Sequence, residues 1–442
     1  MIAAATAWSA PADVVAPGCQ QTLPPDAIST AGTSTFVHVE AEACAPHYRG
    51  AMLELSETPA RIVVGTPGEQ RATLLGDVLI ASGMRTRANR PGHPRQLLLE
   101  GGHDLAGTIA PGGEAVLALG GERETFVRRA APGLPFAGSV RVPGLARPSA
   151  VAVDATGAAI VLGESGDSLS AAIVLGPTAA PRDGTGVPGG APPAARSDGS
   201  AARGDGTFAS VAAPLGLPRL LTRRADEGVL AAAPDGTVVA AWLASRHRKP
   251  RGARCWWPPR EVWAAVRPPG GTFGAPRRIS YAVGHGVVTL RAASGPGARI
   301  AWDAGAPDEI PPCPPPVPRP KQPARAAATA EPQVQSAALV PGGLGPTQVI
   351  ARGTVSLLDV AVGAGHTVYA LRSSRRATAL VFDATGKACP PADLGEEADD
   401  PLGHQPRGFA AIDALGRATI TWPVERGRYY TGRFARSELG AC

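Results

Sequence analysis

Residues 408–422 read GFAAIDALGRATITW: a short alternating apolar run, a glycine-bearing turn, and a second alternating run that ends in tryptophan. Period-two alternation puts apolar side chains on one face of an extended strand, so two such runs around a tight turn specify a β-hairpin. The pattern recurs at 149–162 (SAVAVDATGAAIVL), 228–242 (GVLAAAPDGTVVAAW), 287–302 (VVTLRAASGPGARIAW) and 355–371 (VSLLDVAVGAGHTVYAL). A fainter copy lies at 105–119 (LAGTIAPGGEAVLAL). The glycine has a geometric cause, because a two-residue turn matched to strand twist needs a positive φ that glycine adopts without steric penalty. Trp242, Trp302 and Trp422 fall at one position of the second strand, which predicts a packing residue between neighbouring sheets.

Behind the hairpins come a third apolar strand and a fourth segment introduced by Gly, Phe or Pro. Residues 261–267 (EVWAAVR) followed by 270–280 (GGTFGAPRRIS) are the clearest case, and 125–130 with 138–144 repeat it. Four antiparallel strands per repeat is the sequence form of a β-propeller blade. The turn markers Gly113, Gly157, Gly236, Pro296, Gly365 and Gly416 are unevenly spaced. The long gaps coincide with insertions, and without these the spacing falls near the ~40 to 50 residues of propeller repeats. Before residue 104 the strands at 35–41, 51–56, 61–65 and 74–81 require one further blade or two. The last unit stops after its third strand at 428–433, so closing the ring needs an outer strand from the N-terminal region. The expected fold is therefore all-β, a propeller of four-stranded antiparallel blades, with seven blades favoured and six or eight as alternatives.

The expected organisation is a signal-peptide remnant or disordered N-terminus over 1–30 and a single propeller over 31–442, with low-complexity insertions at 180–206 and 303–330. Residues 1–12 (MIAAATAWSAPA) carry an Ala5-x-Ala7 motif similar to a signal-peptidase site, without the basic start of a full leader. The chain has 55 glycines and 46 prolines in 442 residues, yet 44% of it is hydrophobic, which argues against disorder throughout. Lys249, Lys321 and Lys387 are the only lysines, a bias that fits a GC-rich bacterial genome. The net charge of +6 is spread thinly, and the densest basic run, 246–251, is short and broken by Pro250. Nucleic-acid binders concentrate charge in a patch interleaved with aromatics, so nucleic acid is not an expected partner. No apolar stretch reaches the ~18 residues of a membrane-spanning helix.

Across residues 104–442 the chain resembles bacterial propeller repeat proteins of the sialidase-like and NHL-like kinds. Sialidase-like blades often carry a Ser-x-Asp-x-Gly-x-Thr-Trp box. Here Gly270-Gly271-Thr272-Phe273 keeps its end, with Pro268 where the Asp belongs and Val266 where the Ser belongs; Asp205-Gly206-Thr207-Phe208 is similarly degenerate. The resemblance implies a propeller, and the eroded box separates the chain from the sialidases themselves.

Catalytic motifs are missing: there is no Ser-elbow, zinc-protease, Walker or dinucleotide fingerprint. Tyr429 and Tyr430 beside Glu425 have the composition of a nucleophile pair, but strand packing accounts for them better. The eight histidines stand singly, so no metal site and no cofactor is expected, and no catalytic residue is assigned. Cys19, Cys44, Cys255, Cys313, Cys389 and Cys442 show no zinc spacing and are expected to form three disulfides in an exported protein. The loops at 246–260 and 303–330 both join second to third strands in consecutive blades and emerge on one face, which predicts Cys255–Cys313. Cys389–Cys442 is the next pair, and Cys19–Cys44 follows by elimination. By resemblance to other propellers, that face commonly binds ligands. Trp256 and Trp257 could form an aromatic platform there, although packing beneath the disulfide and over the blade surface is the preferred reading. The favoured function is an extracellular or cell-surface binding or scaffold module, monomeric, for a protein, peptide or glycan ligand. Enzymatic activity is left open but not favoured; the alternative is a glycan-active enzyme, a sialidase-like glycosidase or polysaccharide lyase.

Overall fold

Second strands such as Val238–Ser245 are apolar along almost their whole length, with Val238, Val239, Ala240, Ala241, Trp242 and Leu243 all buried. A continuous apolar run of this kind arises when both faces of a sheet are covered, and here each sheet is sandwiched between two others. The computed structural model describes residues 7–16, 19, 21–42, 50–55, 61–66, 71–83, 85–100, 104–120, 123–165, 168–175, 219–222, 225, 227–245, 260–280, 287–304, 331–373, 375–396, 408–426, 429–440 and 442. Every regular element among them is a β-strand.

The strands form eight four-stranded antiparallel sheets, seven of which use four consecutive strands. Blades 1 to 7 occupy residues 21–66, 71–100, 104–143, 148–222, 227–278, 287–352 and 355–396. Blade 8 combines Phe409–Ile412, Arg417–Arg426 and Tyr429–Glu438 with the N-terminal strand Ala12–Val14, which pairs antiparallel with the third strand. The first strand of each blade packs beside the first strand of the next, and blade 8 returns to blade 1, so the sheets close into a propeller ring. The outer strand of blade 8 comes from the N-terminal region, as the incomplete last repeat requires.

Eight blades are one more than the favoured seven. The extra blade lies before residue 104, where the run at 74–81 is not one strand but two. Arg71–Leu75 and Val78–Ser82 form a hairpin around Gly76, whose φ is +61°. A two-residue turn inside an apolar run leaves alternation almost unbroken, which hides the hairpin. Ala12–Val14 and Gln21–Ala31 belong to blades 8 and 1. The insertion at 180–206 lies outside the described residues, as does 305–330, whereas Asp303 and Ala304 finish a strand.

The hairpin turns differ from the expected two-residue type in four blades. At Gly113, Gly157, Gly236 and Gly416 the glycine amide bonds the carbonyl three residues back, while that same residue's amide bonds the carbonyl just beyond the glycine. This is a three-residue loop with glycine in the left-handed region, φ +76° to +89°, a bulged hairpin of the next commonest class. Blade 7 keeps a two-residue turn, Ala364-Gly365, with both φ values positive.

The recurring tryptophans are packing residues. Trp242, Trp302 and Trp422 are fully or almost fully buried in inter-blade clusters. Each indole N–H of a buried tryptophan needs an acceptor. Trp302 donates to Gln335 Oε1 at 2.9 Å, and Trp422 donates across to blade 7, to the Glu396 carbonyl at 3.0 Å.

Candidate functional site

The first strands of the eight blades surround the ring axis. At the end where the first and second strands turn, a cavity of about 320 Å³ opens between the first strands of blades 1, 2, 3, 6, 7 and 8. Its surface is more polar than apolar: the side chains of Leu75, Ile109, Val362 and Ile412 line it together with backbone groups and the hydroxyls of Ser29, Thr30, Thr108 and Ser294. Two of these hydroxyls are oriented by the neighbouring blade. Ser29 Oγ accepts the Gly76 amide at 2.8 Å, and Ser294 Oγ accepts the Ala232 amide at 3.1 Å.

The same strands carry charged residues. Arg291, on the first strand of blade 6, reaches both neighbours. Its Nε donates to the Leu358 carbonyl of blade 7 at 3.1 Å and its Nη1 lies 3.5 Å from Glu227 of blade 5, while also donating to the Leu290 carbonyl. Asp359 of blade 7 continues the chain by accepting the Ala410 amide of blade 8 at 2.9 Å. Burial pushes the Asp359 carboxyl up from its ordinary value, against the pull of Arg291 and of the Ala410 and Val360 amides. Burial also raises the Glu227 carboxyl, opposed by Arg291 and Arg260 and assisted by Glu164 and Asp303. Glu227 remains 41% exposed at its side chain, so solvent screens it far more than Asp359. Asp303 is buried and receives the amides of Thr289 and Leu357, which ties blade 6 to blade 7 again.

None of these charged residues was singled out from sequence. The available signal was a charge inside an apolar first strand, Arg291 in VVTLRAA and Asp359 in VSLLDVAVG. Trp256, Trp257, Cys255, Cys313 and Cys44 lie outside the described residues. Cys389 and Cys442 form a disulfide, and Cys19 is also disulfide-bonded. Glu425 and Tyr430 face each other in backbone register near the end of a blade 8 hairpin. His38 is buried with Nδ1 2.6 Å from Asp26, and His366 bonds the carbonyls of Ala364 and Gly440. Among the described residues no group of three or more His, Cys, Asp or Glu is arranged to hold a metal ion.

No protein-family model matches the chain, and no curated protein matches it in sequence. Solved structures similar to it include a virginiamycin B lyase from Staphylococcus aureus, 6% identical, covering 98% of this chain and 100% of that one with a TM-score of 0.44. A hydrazine synthase of Kuenenia stuttgartiensis is 10% identical, covering 84% and 100%, with a TM-score of 0.44. An α-L-arabinofuranosidase of Fusarium graminearum is 8% identical, covering 98% of both chains, with a TM-score of 0.40. The propeller assignment rests on the strand order and ring closure above.

Proposed function

We propose that this protein is an exported, monomeric, non-enzymatic propeller that acts as a binding or scaffold module at the bacterial surface, for a protein, peptide or glycan. The observation that carries this reading is how the charged groups of the first strands are engaged. Arg291 is committed to Glu227 and to two backbone carbonyls, and Asp359 to the Ala410 amide, so these groups fasten blades 5 to 8 together. A cavity wall of hydroxyls and methyls presents shape and hydrogen bonds, which is what recognition requires. The Cys389–Cys442 disulfide suits an oxidising compartment. The second- to third-strand loops, with Trp256 and Trp257, are the proposed partner-facing surface.

The second reading, a glycan-active enzyme, draws on one observation: two carboxyls of the first strands, Glu227 and Asp359, are both raised by burial, the direction a general acid needs. A glycan array probed with the purified protein, followed by product analysis of every bound glycan, separates the two. Binding without cleavage, lost in a Trp256→Ala/Trp257→Ala variant of unchanged thermal stability, is the expected result. Cleavage abolished by Glu227→Gln or Asp359→Asn would replace it with the enzyme reading.

A further inference from the structure

We propose that the axial cavity at the first- to second-strand turns is a second binding site, for a compact, uncharged organic molecule with an apolar body and a hydrogen-bond-accepting oxygen. It lies on the face opposite the second- to third-strand loops, so it is independent of any partner held there.

The lining residues fix this chemistry. None of them is ionisable, and Leu75, Val360, Ala361 and Ala410 are buried. A charged ligand would lose hydration on entering and meet no counter-charge in the wall. An apolar body, by contrast, gains from contact with Leu75, Ile109, Val362 and Ile412. The volume of about 320 Å³ is at the small end of ligand cavities.

The oxygen requirement follows from the two oriented serines. A hydroxyl has one proton to donate and two lone pairs. Ser29 and Ser294 each use a lone pair on a backbone amide of an adjacent blade, Gly76 and Ala232. Neither hydroxyl donates to a protein group among the described residues, so both protons are available to the cavity. The two donors come from blades 1 and 6 and are held by the ring, which presents them without a rearrangement on binding. A ketone, lactone, ester or amide oxygen can accept from either of them; an ammonium cannot accept from them, and a carboxylate accepts but lacks a balancing charge.

The test uses three probes of one shape: cyclohexanone, cyclohexylammonium and cyclohexanecarboxylate. They are titrated into the full-length protein with labelled Ile, Leu and Val methyl groups. Cyclohexanone should give saturable shifts at Leu75, Ile109, Val362 and Ile412, and the two charged probes should give none at the same concentrations. Ser29→Ala/Ser294→Ala should weaken cyclohexanone binding roughly two- to tenfold, from the loss of an ordinary hydrogen bond. Because those serines also accept inter-blade amides, Ala411→Leu serves as the second variant: it fills the cavity from a partly buried lining position and should abolish binding. Equal shifts from all three probes, no saturable shift from cyclohexanone, or cyclohexanone binding unchanged in Ala411→Leu would each overturn the proposal.

Discussion

Arg267 and Asp154 form an ion pair between two blades, with Nη1 2.8 Å from Oδ2 and both side chains buried. Arg267 ends the third strand of blade 5, and Asp154 opens the first turn of blade 4. The other carboxylate oxygen of Asp154 accepts the amides of Thr156 and Ala158 and the Thr156 hydroxyl, so one side chain shapes its own turn and docks the next blade. Removing one partner of a buried pair leaves the other charge desolvated and alone. Arg267→Met should therefore cost about 3–5 kcal/mol in chemical denaturation. Adding Asp154→Asn should recover part of that loss, since a neutral amide keeps an oxygen for the turn amides. A loss below about 1 kcal/mol, the range of exposed pairs, would contradict this role.

Asp359 should make stability fall as pH rises. A raised folded-state pKa means that the native protein holds this proton more tightly than the unfolded chain does. The stabilisation is complete below the unfolded value, ~4, and is lost as pH climbs through the folded value. Asp359→Asn removes the titration while keeping an acceptor for the Ala410 amide. The Tm of this variant relative to the parent should rise as the pH climbs above about 4 and level off once the folded carboxyl ionises. A difference independent of pH would contradict the assignment.

The Cys389–Cys442 disulfide pins the C-terminus onto blade 7. Around it the Cys442 amide bonds Asp383, the Cys442 carbonyl accepts from Lys387 Nζ at 2.8 Å, and His366 bonds the Gly440 carbonyl. The bond closes a sequence separation of 53 residues, for which chain entropy gives roughly 4 kcal/mol. Cys442→Ser should lower unfolding stability by about 2–4 kcal/mol and make the chain after Glu438 sensitive to proteolysis. Unchanged stability and unchanged cleavage would show that the polar contacts suffice without the bond.

The repeat was legible because a blade is a local object. Alternation, a turn glycine and a tryptophan six residues beyond Gly236 and Gly416 all lie within one hairpin, and Trp242 and Trp422 are buried as that pattern predicts. The blade count was less legible, because the Gly76 turn interrupts the apolar run of 74–81 too briefly to be seen. The turn class at Gly157 and Gly416 escaped for a related reason, since two- and three-residue loops both demand a positive φ and place the same residue there. The channel was hardest to read. Arg291 touches Glu227 and Leu358, which are more than sixty residues away in either direction, and only ring closure brings them together. A charge in an apolar strand marks such a position without naming its partner.

The N-terminal strand closes a ring of eight blades, and the register of that closure can be measured. Asp13 lies opposite Arg433, with Val14 opposite Gly432 and Ala12 opposite Phe434. Cross-strand neighbours sit within the Cα separation that a disulfide spans. Asp13→Cys/Arg433→Cys, oxidised at low concentration and mapped by mass spectrometry of unreduced peptides, should yield a 13–433 link within one molecule. A correctly folded monomer in which those two positions stay unlinked, or link only between molecules, would contradict the closure.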